Sequence, residues 1–400
     1  MALQRSPFAT AAVIAALSLA CGAQVPGGAA PTDAATAADA ATNGTDAGVN
    51  VTDAPPTDVP MPPRGIAALG NGRHSLAAVR VREIATDADG LDRPRDLAFN
   101  PLAPEQLWVT NFGSNSITVV LNPGSPERSA ETYGGPGSEH FLVRPSGLAF
   151  GDNGYLATAQ ETDQITQRTT PANFMGPTLW DGDLARFNGG HASHLDMLHN
   201  SPNSNGIAWE TGNVYWVVDG AHRALARYDF NQPHERGGED HSDATLQRYA
   251  EGMLEYMPGV SAHVEYDHAN RVVYLTQPAT NRVVMFNPEG AAMGTRITPN
   301  YDGTRQNRMN GGAIETFIDG ATAELQRPSG LALVGDVFYV TDNATSRVTA
   351  FNRMGQRVDW LDLGAMVPPN SVQGIAVDSR GYIYVADAAG DRVLEIAPAD

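Results

Sequence analysis

The chain contains one cysteine among its 400 residues, and that cysteine, Cys21, lies near the N-terminus. A single cysteine excludes an intramolecular disulfide, a cysteine-based zinc site and a thiol nucleophile in any domain that follows it. Such a domain needs a large hydrophobic core for its stability, and the chain is long enough to form one.

Lysine is absent altogether: all 26 basic residues are arginine, and the formal net charge is −19. The absence of lysine excludes Schiff-base catalysis and a P-loop lysine. The negative charge predicts no nucleic-acid partner, because phosphate would be repelled. The sequence also lacks a G-x-S-x-G nucleophile elbow, an H-E-x-x-H zinc motif and a dinucleotide-binding fingerprint.

The apolar run from Phe8 to Ala20 is too short to span a bilayer and follows the basic Arg5, so residues 1–21 are predicted to be a signal peptide. The run ends in Leu17-Ser18-Leu19-Ala20-Cys21, which resembles a bacterial lipobox, with Ser18 where Leu is usual. The resemblance implies lipid attachment at Cys21 and a cell-envelope lipoprotein, in the outer membrane of a Gram-negative cell. The alternative is an ordinary signal peptide and a secreted protein.

Residues 22–64 consist mainly of Ala, Thr, Asp, Gly and Pro and contain no aromatic residue. Such a composition does not bury enough apolar surface to form a core. We predict a disordered tether between the lipid anchor and a domain at residues 65–400, with the membrane reached only through the lipid.

A short unit then recurs six times along residues 65–400, each time followed by a second apolar strand, a tight turn and a third strand. The six copies are Arg93–Phe99, Arg144–Phe150, Asn205–Trp209, Ala262–Tyr266, Arg327–Leu333 and Gln373–Val377. The spacing varies and is longest between the fourth and fifth copies, which is typical of loops of different length on a common scaffold.

The pattern Pro-x-Gly-Leu-Ala, an apolar strand and Asp-x-x-x-x-Arg-Val is similar to the NHL repeat, most closely in the last two copies. The resemblance implies an all-β fold, a six-bladed β-propeller. The chain ends after the third strand of the sixth copy, and an unassigned strand-like run, Leu76–Ile84, precedes the first copy. We therefore predict that this N-terminal strand completes the last blade and closes the ring.

Functional sites of propellers usually lie at the channel mouth where the inner strands begin, an argument by analogy with the fold. Three histidines are predicted near that mouth and are candidate metal ligands: His199, His222 and His263. His263 occupies a repeat position that is glycine in four copies and Asp96 in one. Candidate catalytic residues there are His263, His222, Asp219 and Asn205, although a structural, hydrogen-bonded His263 is equally compatible with the sequence.

A second histidine cluster is predicted on the opposite face, in the long loops between third and fourth strands. It comprises His191, His194, His234 and His241, with acidic neighbours such as Asp196 and Asp240. Imidazole and carboxylate are both metal ligands, but solvated, hydrogen-bonded loops are the more common interpretation of such a pattern.

Two classes of function fit these features. The first is a binding module held in the envelope, whose partner is a protein, a glycan or a small molecule. The alternative is a metal-dependent lyase or lactonase with its site at the channel mouth and Zn²⁺ or Ca²⁺ as cofactor. The resemblance to peptidyl-hydroxyglycine amidating lyases is incomplete, because only His263 matches their channel histidines. Propeller lactonases bind a cation through Glu, Asn and Asp, for which Glu265, Asn205 and Asp219 are candidates.

Overall fold

The computed structural model describes residues 65–136, 138, 140–163 and 174–399. The predicted signal peptide, the predicted lipid-attachment residue Cys21 and the predicted tether all lie outside these residues. Within the described part of the chain, no helix is both long and apolar enough to cross a membrane.

The domain is a six-bladed β-propeller, as predicted, because six antiparallel sheets follow one another around a ring. Strand β1 (Val79–Ala85) comes first in the chain and precedes the first blade. Blade 1 contains β2 (Pro94–Asn100), β3 (Ala103–Asn111), β4 (Ser116–Leu121) and β5 (Ser129–Gly134). Blade 2 contains β6 (Pro145–Phe150), β7 (Tyr155–Gln160), β8 (Thr178–Asp181) and β9 (His194–Met197).

The third and fourth blades are built in the same way, with one addition between them. Blade 3 contains β10 (Ser204–Thr211), β11 (Val214–Asp219), β12 (Ala224–Asp229) and β13 (Thr245–Tyr249). Blade 4 contains β14 (Val264–Asp267), β15 (Val272–Gln277), β16 (Arg282–Asn287) and β19 (Ala313–Asp319). Between β16 and β19 the chain forms a hairpin of β17 (Ala292–Arg296) and β18 (Arg305–Asn310). The hairpin joins the outer edge of blade 3, where β18 pairs in parallel with β13. This insertion explains the longest repeat spacing.

The last two blades complete the ring. Blade 5 contains β20 (Pro328–Val334), β21 (Val337–Asp342), β22 (Arg347–Asn352) and β23 (Arg357–Asp362), and blade 6 contains β24 (Val372–Val377), β25 (Ile383–Asp387) and β26 (Arg392–Pro398). The helical segments are short: 3₁₀ turns at Ala67–Leu69, Leu76–Ala78, Asp87–Asp89, His191–Ser193 and Pro278–Thr280, and α1 at Gly320–Ala323.

Strand β1 is the fourth strand of blade 6, which confirms the predicted closure of the ring. It pairs antiparallel with β26 from Val79, opposite Pro398, to Ala85, opposite Val393. Ile84 and Ala85 are buried in the hydrophobic cluster between blades 6 and 1. The predicted strand began at Leu76, but residues 76–78 form a 3₁₀ turn, so the strand is displaced by a few residues.

The core lies between the blades rather than at the centre of the ring. Each of the six blade–blade interfaces has its own cluster of buried apolar side chains, and the tryptophans Trp108, Trp180 and Trp216 are fully buried in two of them. Apolar burial at every interface is the main favourable term for the fold, and each blade depends on both of its neighbours.

The inner strands approach one another so closely at their beginnings that a side chain would not fit there. A Cβ atom on Gly206 would lie 2.0 Å from the Ala262 carbonyl oxygen of the next blade, and one on Gly374 would lie 2.7 Å from the Asp96 Cα. This close approach explains why the Gly of the repeat recurs.

We expect removal of β1 to abolish cooperative folding of the whole propeller. Deletion of residues 1–86 opens the ring, exposes the edge of β26 and removes Ile84 and Ala85 from the core. Thermal unfolding followed by circular dichroism should show no cooperative transition for this variant. Deletion of residues 1–64 is the matched control and should melt like the full chain. Melting of the two deletions within a few degrees of each other would contradict the role given to β1.

Candidate functional site

The channel is closed at the end where the inner strands begin. The segment Gly259–Ala262, which leads from β13 into β14, crosses this end and is called the plug below. It forms hydrogen bonds with the inner strands of the other five blades. The contacts are Arg95 Nη1 to Gly259 O, Ser261 Oγ to Ser146 O (3.3 Å), Asn205 Nδ2 to Val260 O (3.2 Å), Ser329 Oγ to Ser261 O (2.9 Å) and Ser261 N to Gln373 Oε1 (3.0 Å).

The five residues that bind the plug occupy the same position of the repeat, immediately before the glycine position. They are polar and buried, as are Val260, Ser261 and Ala262 of the plug, whereas Gly259 is exposed. Glu161 adds a further support, because its Oε1 accepts hydrogen bonds from Gly259 N (2.7 Å) and from the Tyr256 hydroxyl (2.9 Å). The mouth at which the sequence analysis placed the site is therefore filled by protein.

Asp96 and His263 meet across the channel directly beneath the plug. They belong to blades 1 and 4, which face each other, and His263 Nδ1 lies 3.2 Å from Asp96 Oδ1. Burial raises the pKa of Asp96, and this effect outweighs the attraction of His263 and the hydrogen bonds from Leu148 N and Leu97 N. His263 Nε2 is buried and has no hydrogen-bond partner among the described residues. The closed end therefore presents a carboxyl–imidazole pair with one free nitrogen.

Glu265 projects into the channel one step further along β14. The residue is partly exposed and lines the channel cavity. Burial first, and then repulsion from Asp96, raise the pKa of Glu265 to about 8, against a smaller opposing effect of a hydrogen bond from Leu333 N. The side chain is thus mostly protonated at neutral pH and both donates and accepts hydrogen bonds.

The inner strands enclose a cavity of about 330 Å³ between this closed end and the other face. Asp96, His263 and Glu265 line its inner part, and no arginine of the described residues lines it. Aromatic residues line its outer part, where the inner strands end: Phe99, Phe150, Trp209 and Tyr266, together with His268. The ends of the strands are partly exposed whereas their beginnings are buried, so the channel opens only on the face opposite the plug.

The other candidate catalytic residues are held in separate places. Asn205 is bound to the plug through its amide, which also accepts a hydrogen bond from Ala262 N (2.7 Å). Asp219 is fully buried, with His222 Nδ1 2.8 Å and Arg248 Nε 3.3 Å from its Oδ2. The Glu, Asn and Asp proposed for a lactonase-like cation site are thus each engaged with different partners.

His199 has a different set of partners from His263. Its backbone N donates to Asp302 Oδ2 (3.0 Å), its Nδ1 contacts Asp302 Oδ1, and its ring stacks on Phe174 with centroids 3.8 Å apart. Among the described residues, His199, His222 and His263 do not form a group of ligands around a common point. The structure therefore does not assemble the metal set predicted at the channel mouth.

The second predicted cluster is brought together. The rings of His191, His194, His234 and His241 form a continuous series, with successive centroids 5.0, 4.9 and 5.1 Å apart. Burial and the neighbouring histidines lower the pKa of His194 to about 4, although a hydrogen bond to the His191 carbonyl opposes the change. Asp196 lies beside His241, with 2.6 Å between Oδ1 and Nδ1. The cluster lies on the outer side of blades 2 and 3, away from the channel.

Two features of the site had not been predicted. The plug is one of them, and its only signal is that the fourth repeat is the most deviant, with Ala262–His263 in place of a polar residue and glycine. The other is Asp302, which lies in the turn of the β17–β18 hairpin at the outer edge of blade 3. Its carboxylate accepts a hydrogen bond from His199 N, just after the outer strand of blade 2. The repeat pattern indicates neither the path of the plug nor the path of the β17–β18 hairpin.

No protein-family model matches the chain, and no curated protein resembles it in sequence. Solved structures do resemble its fold. An auxiliary nutrient binding protein from Bacteroides ovatus is 14% identical, with a TM-score of 0.52 over 80% of this chain and 77% of that one. A second auxiliary nutrient binding protein, from Bacteroides thetaiotaomicron, is 10% identical with the same TM-score, over 80% and 77%.

A gluconolactonase from Xanthomonas campestris is 12% identical, with a TM-score of 0.51 over 85% of this chain and 95% of that one. At such low identity these similarities concern the fold alone. The chain is thus similar in architecture both to binding proteins and to an enzyme, and its own site residues must decide between the two.

Proposed function

We propose that the protein is an exported, envelope-anchored propeller of the NHL type that binds a small molecule in its channel. The observation that carries the proposal is a cavity with one open end, whose closed end holds Asp96, His263 and Glu265. Its volume of about 330 Å³ lies at the small end of the range of ligand pockets, roughly 300–1,000 Å³. An opening lined with aromatic rings that leads to a few convergent polar groups is typical of such pockets.

The lining of the cavity favours a ligand with hydroxyl or amino groups over an anion. Asp96, protonated Glu265 and His263 Nε2 offer hydrogen-bond acceptors, and the described part of the chain places no arginine in the cavity wall to balance a negative charge. The aromatic residues at the opening supply flat apolar surfaces of the kind that sugars and organic cations contact. The ligand class is therefore a compact polyol, sugar or amine.

The envelope location rests on the N-terminal sequence. A signal peptide at residues 1–21 exports the chain, and a lipid on Cys21 anchors it. The predicted tether at residues 22–64 then links the lipid anchor to the propeller domain.

Glu265→Ala should weaken ligand binding at least 10-fold, because alanine removes the hydrogen-bonding carboxyl group from the channel. Thermal-shift screening of sugars, polyols, amines and lactones against the full chain identifies a ligand, and calorimetry measures its affinity. Glu289→Ala, at an exposed position of the same blade, is the matched control. A ligand that binds equally to both variants does not occupy the channel, and a ligand that is converted rather than retained would indicate an enzyme.

The stability of the domain should fall as the pH rises from about 4.5 to about 8. The native state holds the proton of Glu265 more tightly than the unfolded chain does, so ionisation in this interval favours unfolding. The effect is at most about 1.4 kcal/mol per pH unit. Denaturant unfolding at pH 5 and pH 8 should show that Glu265→Gln gains stability relative to wild type at the higher pH. Identical pH profiles for the two proteins would contradict this assignment.

Cys21→Ser should convert the protein from a membrane-bound to a soluble form. The substitution removes the thiol that would carry the lipid, and the remaining chain has no other predicted anchor. Metabolic labelling with a radioactive fatty acid, followed by separation of membrane and soluble fractions, measures both effects. Release of the wild-type protein without label would support the ordinary signal peptide instead.

A further inference from the structure

The loop between β12 and β13, residues 230–244, leaves blade 3 and folds onto the outer strand of blade 2. Gly237 N donates a hydrogen bond to the His194 carbonyl (3.0 Å), which fixes the loop against β9. A Cβ on Gly238 would lie 2.8 Å from His234 Nδ1, so a glycine here leaves room for the imidazole. The contact brings two histidines of blade 3 to a carboxylate of blade 2.

Asp196, His234 and His241 each offer a ligand atom within 4.8 Å of the other two. They are the one such group of His, Cys, Asp and Glu in the part of the chain that the structure describes. Asp196 is fully buried on β9, whereas the two histidines are half-buried. The residues come from two blades and three positions in sequence, so their convergence is a product of the fold.

Two buried atoms of this group have no hydrogen-bond partner. One is Asp196 Oδ2; the other carboxylate oxygen, Oδ1, contacts His241 Nδ1 at 2.6 Å. The second is His234 Nε2. His234 Nδ1 lies 2.6 Å from the Glu235 carbonyl, an acceptor only, so Nδ1 carries the proton and Nε2 keeps its lone pair. A buried carboxylate oxygen and a buried imidazole lone pair without partners are costly unless a cation binds them.

We propose that Asp196, His234 and His241 form a Zn²⁺ site that fastens the β12–β13 loop of blade 3 to blade 2. Two imidazoles and one carboxylate are a ligand set typical of zinc, whereas Ca²⁺ and Mg²⁺ require mainly oxygen ligands. Tetrahedral zinc with ligand distances of about 2.0–2.1 Å places its ligand atoms about 3.3 Å apart. The atoms that are further apart must therefore approach one another, and His241 Nδ1 and Asp196 Oδ1, now 2.6 Å apart, must separate slightly. Zn²⁺ then takes the place of the proton between His241 and Asp196, and this proton is released to solvent.

The fourth coordination position falls to His194 or to water. The ring of His194 is buried and lies 4.9 Å from that of His234. Its Nδ1 contacts the His191 carbonyl at 2.6 Å, which leaves Nε2 with the lone pair. Coordination by His194 would give a closed, structural site, whereas a bound water would leave the open position of a catalytic site.

The two other histidine–carboxylate pairs of this region lack a third ligand. His222 Nδ1 lies 2.8 Å from Asp219 Oδ2, but Arg248 is the next neighbour of that carboxylate and repels a cation. His199 contacts Asp302 alone among the described acidic groups. His222 therefore provides a matched control for His234 and His241: a half-buried histidine beside a buried aspartate without the rest of the site.

The test uses the full-length chain, stripped of metal with a chelator and titrated with Zn²⁺ by calorimetry. One equivalent should bind, and the thermal midpoint should rise when Zn²⁺ is added. His234→Ala and His241→Ala should each weaken Zn²⁺ binding at least 100-fold, and His222→Ala should leave it unchanged. Circular dichroism confirms that each variant folds, and the conservative His234→Gln serves if the alanine variant does not.

Substitution with Co²⁺ reports the geometry, because tetrahedral Co²⁺ absorbs visible light strongly and octahedral Co²⁺ does not. A strong absorption that persists in His194→Ala assigns the fourth position to water, and one that is lost assigns it to His194. The proposal is overturned if no stoichiometric Zn²⁺ binds, or if His234→Ala and His241→Ala bind it like wild type. Loss of binding in His222→Ala alone would instead place the metal at the His222–Asp219 pair. The channel ligand should bind equally with and without Zn²⁺, so the two proposals fail independently.

Discussion

The close approach of the six inner strands at one end of the ring is the constraint on which the rest of the structure depends. Backbones that pack without room for a Cβ require glycine, and four of the six repeats provide it at this position. The remaining two positions lie on opposite blades, where Asp96 and His263 meet across the channel, and Asp96 also accepts a hydrogen bond from Leu148 N of the adjacent strand. The exceptions to the repeat are therefore what place titratable groups at the centre of the ring.

The plug follows from the same geometry. A narrow end leaves the residue before each glycine position facing the axis, and buried polar groups there would be unsatisfied in a dry channel. The backbone of the plug pairs with the side chains of Arg95, Asn205, Ser329 and Gln373, and Ser261 Oγ donates to the Ser146 carbonyl. One end of the channel becomes a buried polar network, and the other remains open. The raised pKa values of Asp96 and Glu265 are a consequence, because water reaches these carboxyls from one side only.

The fold was predictable because it is encoded locally and repeatedly. Each copy carries its own strand alternation and turn residues, and the missing fourth strand of blade 6 pointed to β1 as its substitute. The site was less predictable, because it is made by loops whose paths depend on packing. His263 was singled out correctly as a departure from glycine, but its surroundings depend on Gly259 and Ser261, whose positions no local pattern indicates. Similarly, His234 and His241 were recognised as a cluster, while the contact with Asp196 requires the loop of blade 3 to cross onto blade 2.

In this chain, the residues that recur in the repeats can therefore be distinguished from the residues that depart from them, and the two groups have different roles. Residues that recur in several blades, such as the glycines and the polar residues that bind the plug, are explained by ring closure. Residues that occur once, such as Asp96, His263 and Glu265 in the channel and Asp196, His234 and His241 on the outer side, have no equivalent in other blades, and ring closure does not require them. Burying such groups costs free energy that a purely structural propeller would avoid with apolar or glycine residues. Their presence in two separate places, one proposed to bind a donor-rich small molecule and one proposed to bind a transition metal, is the strongest physical argument that the ring serves as a scaffold for binding.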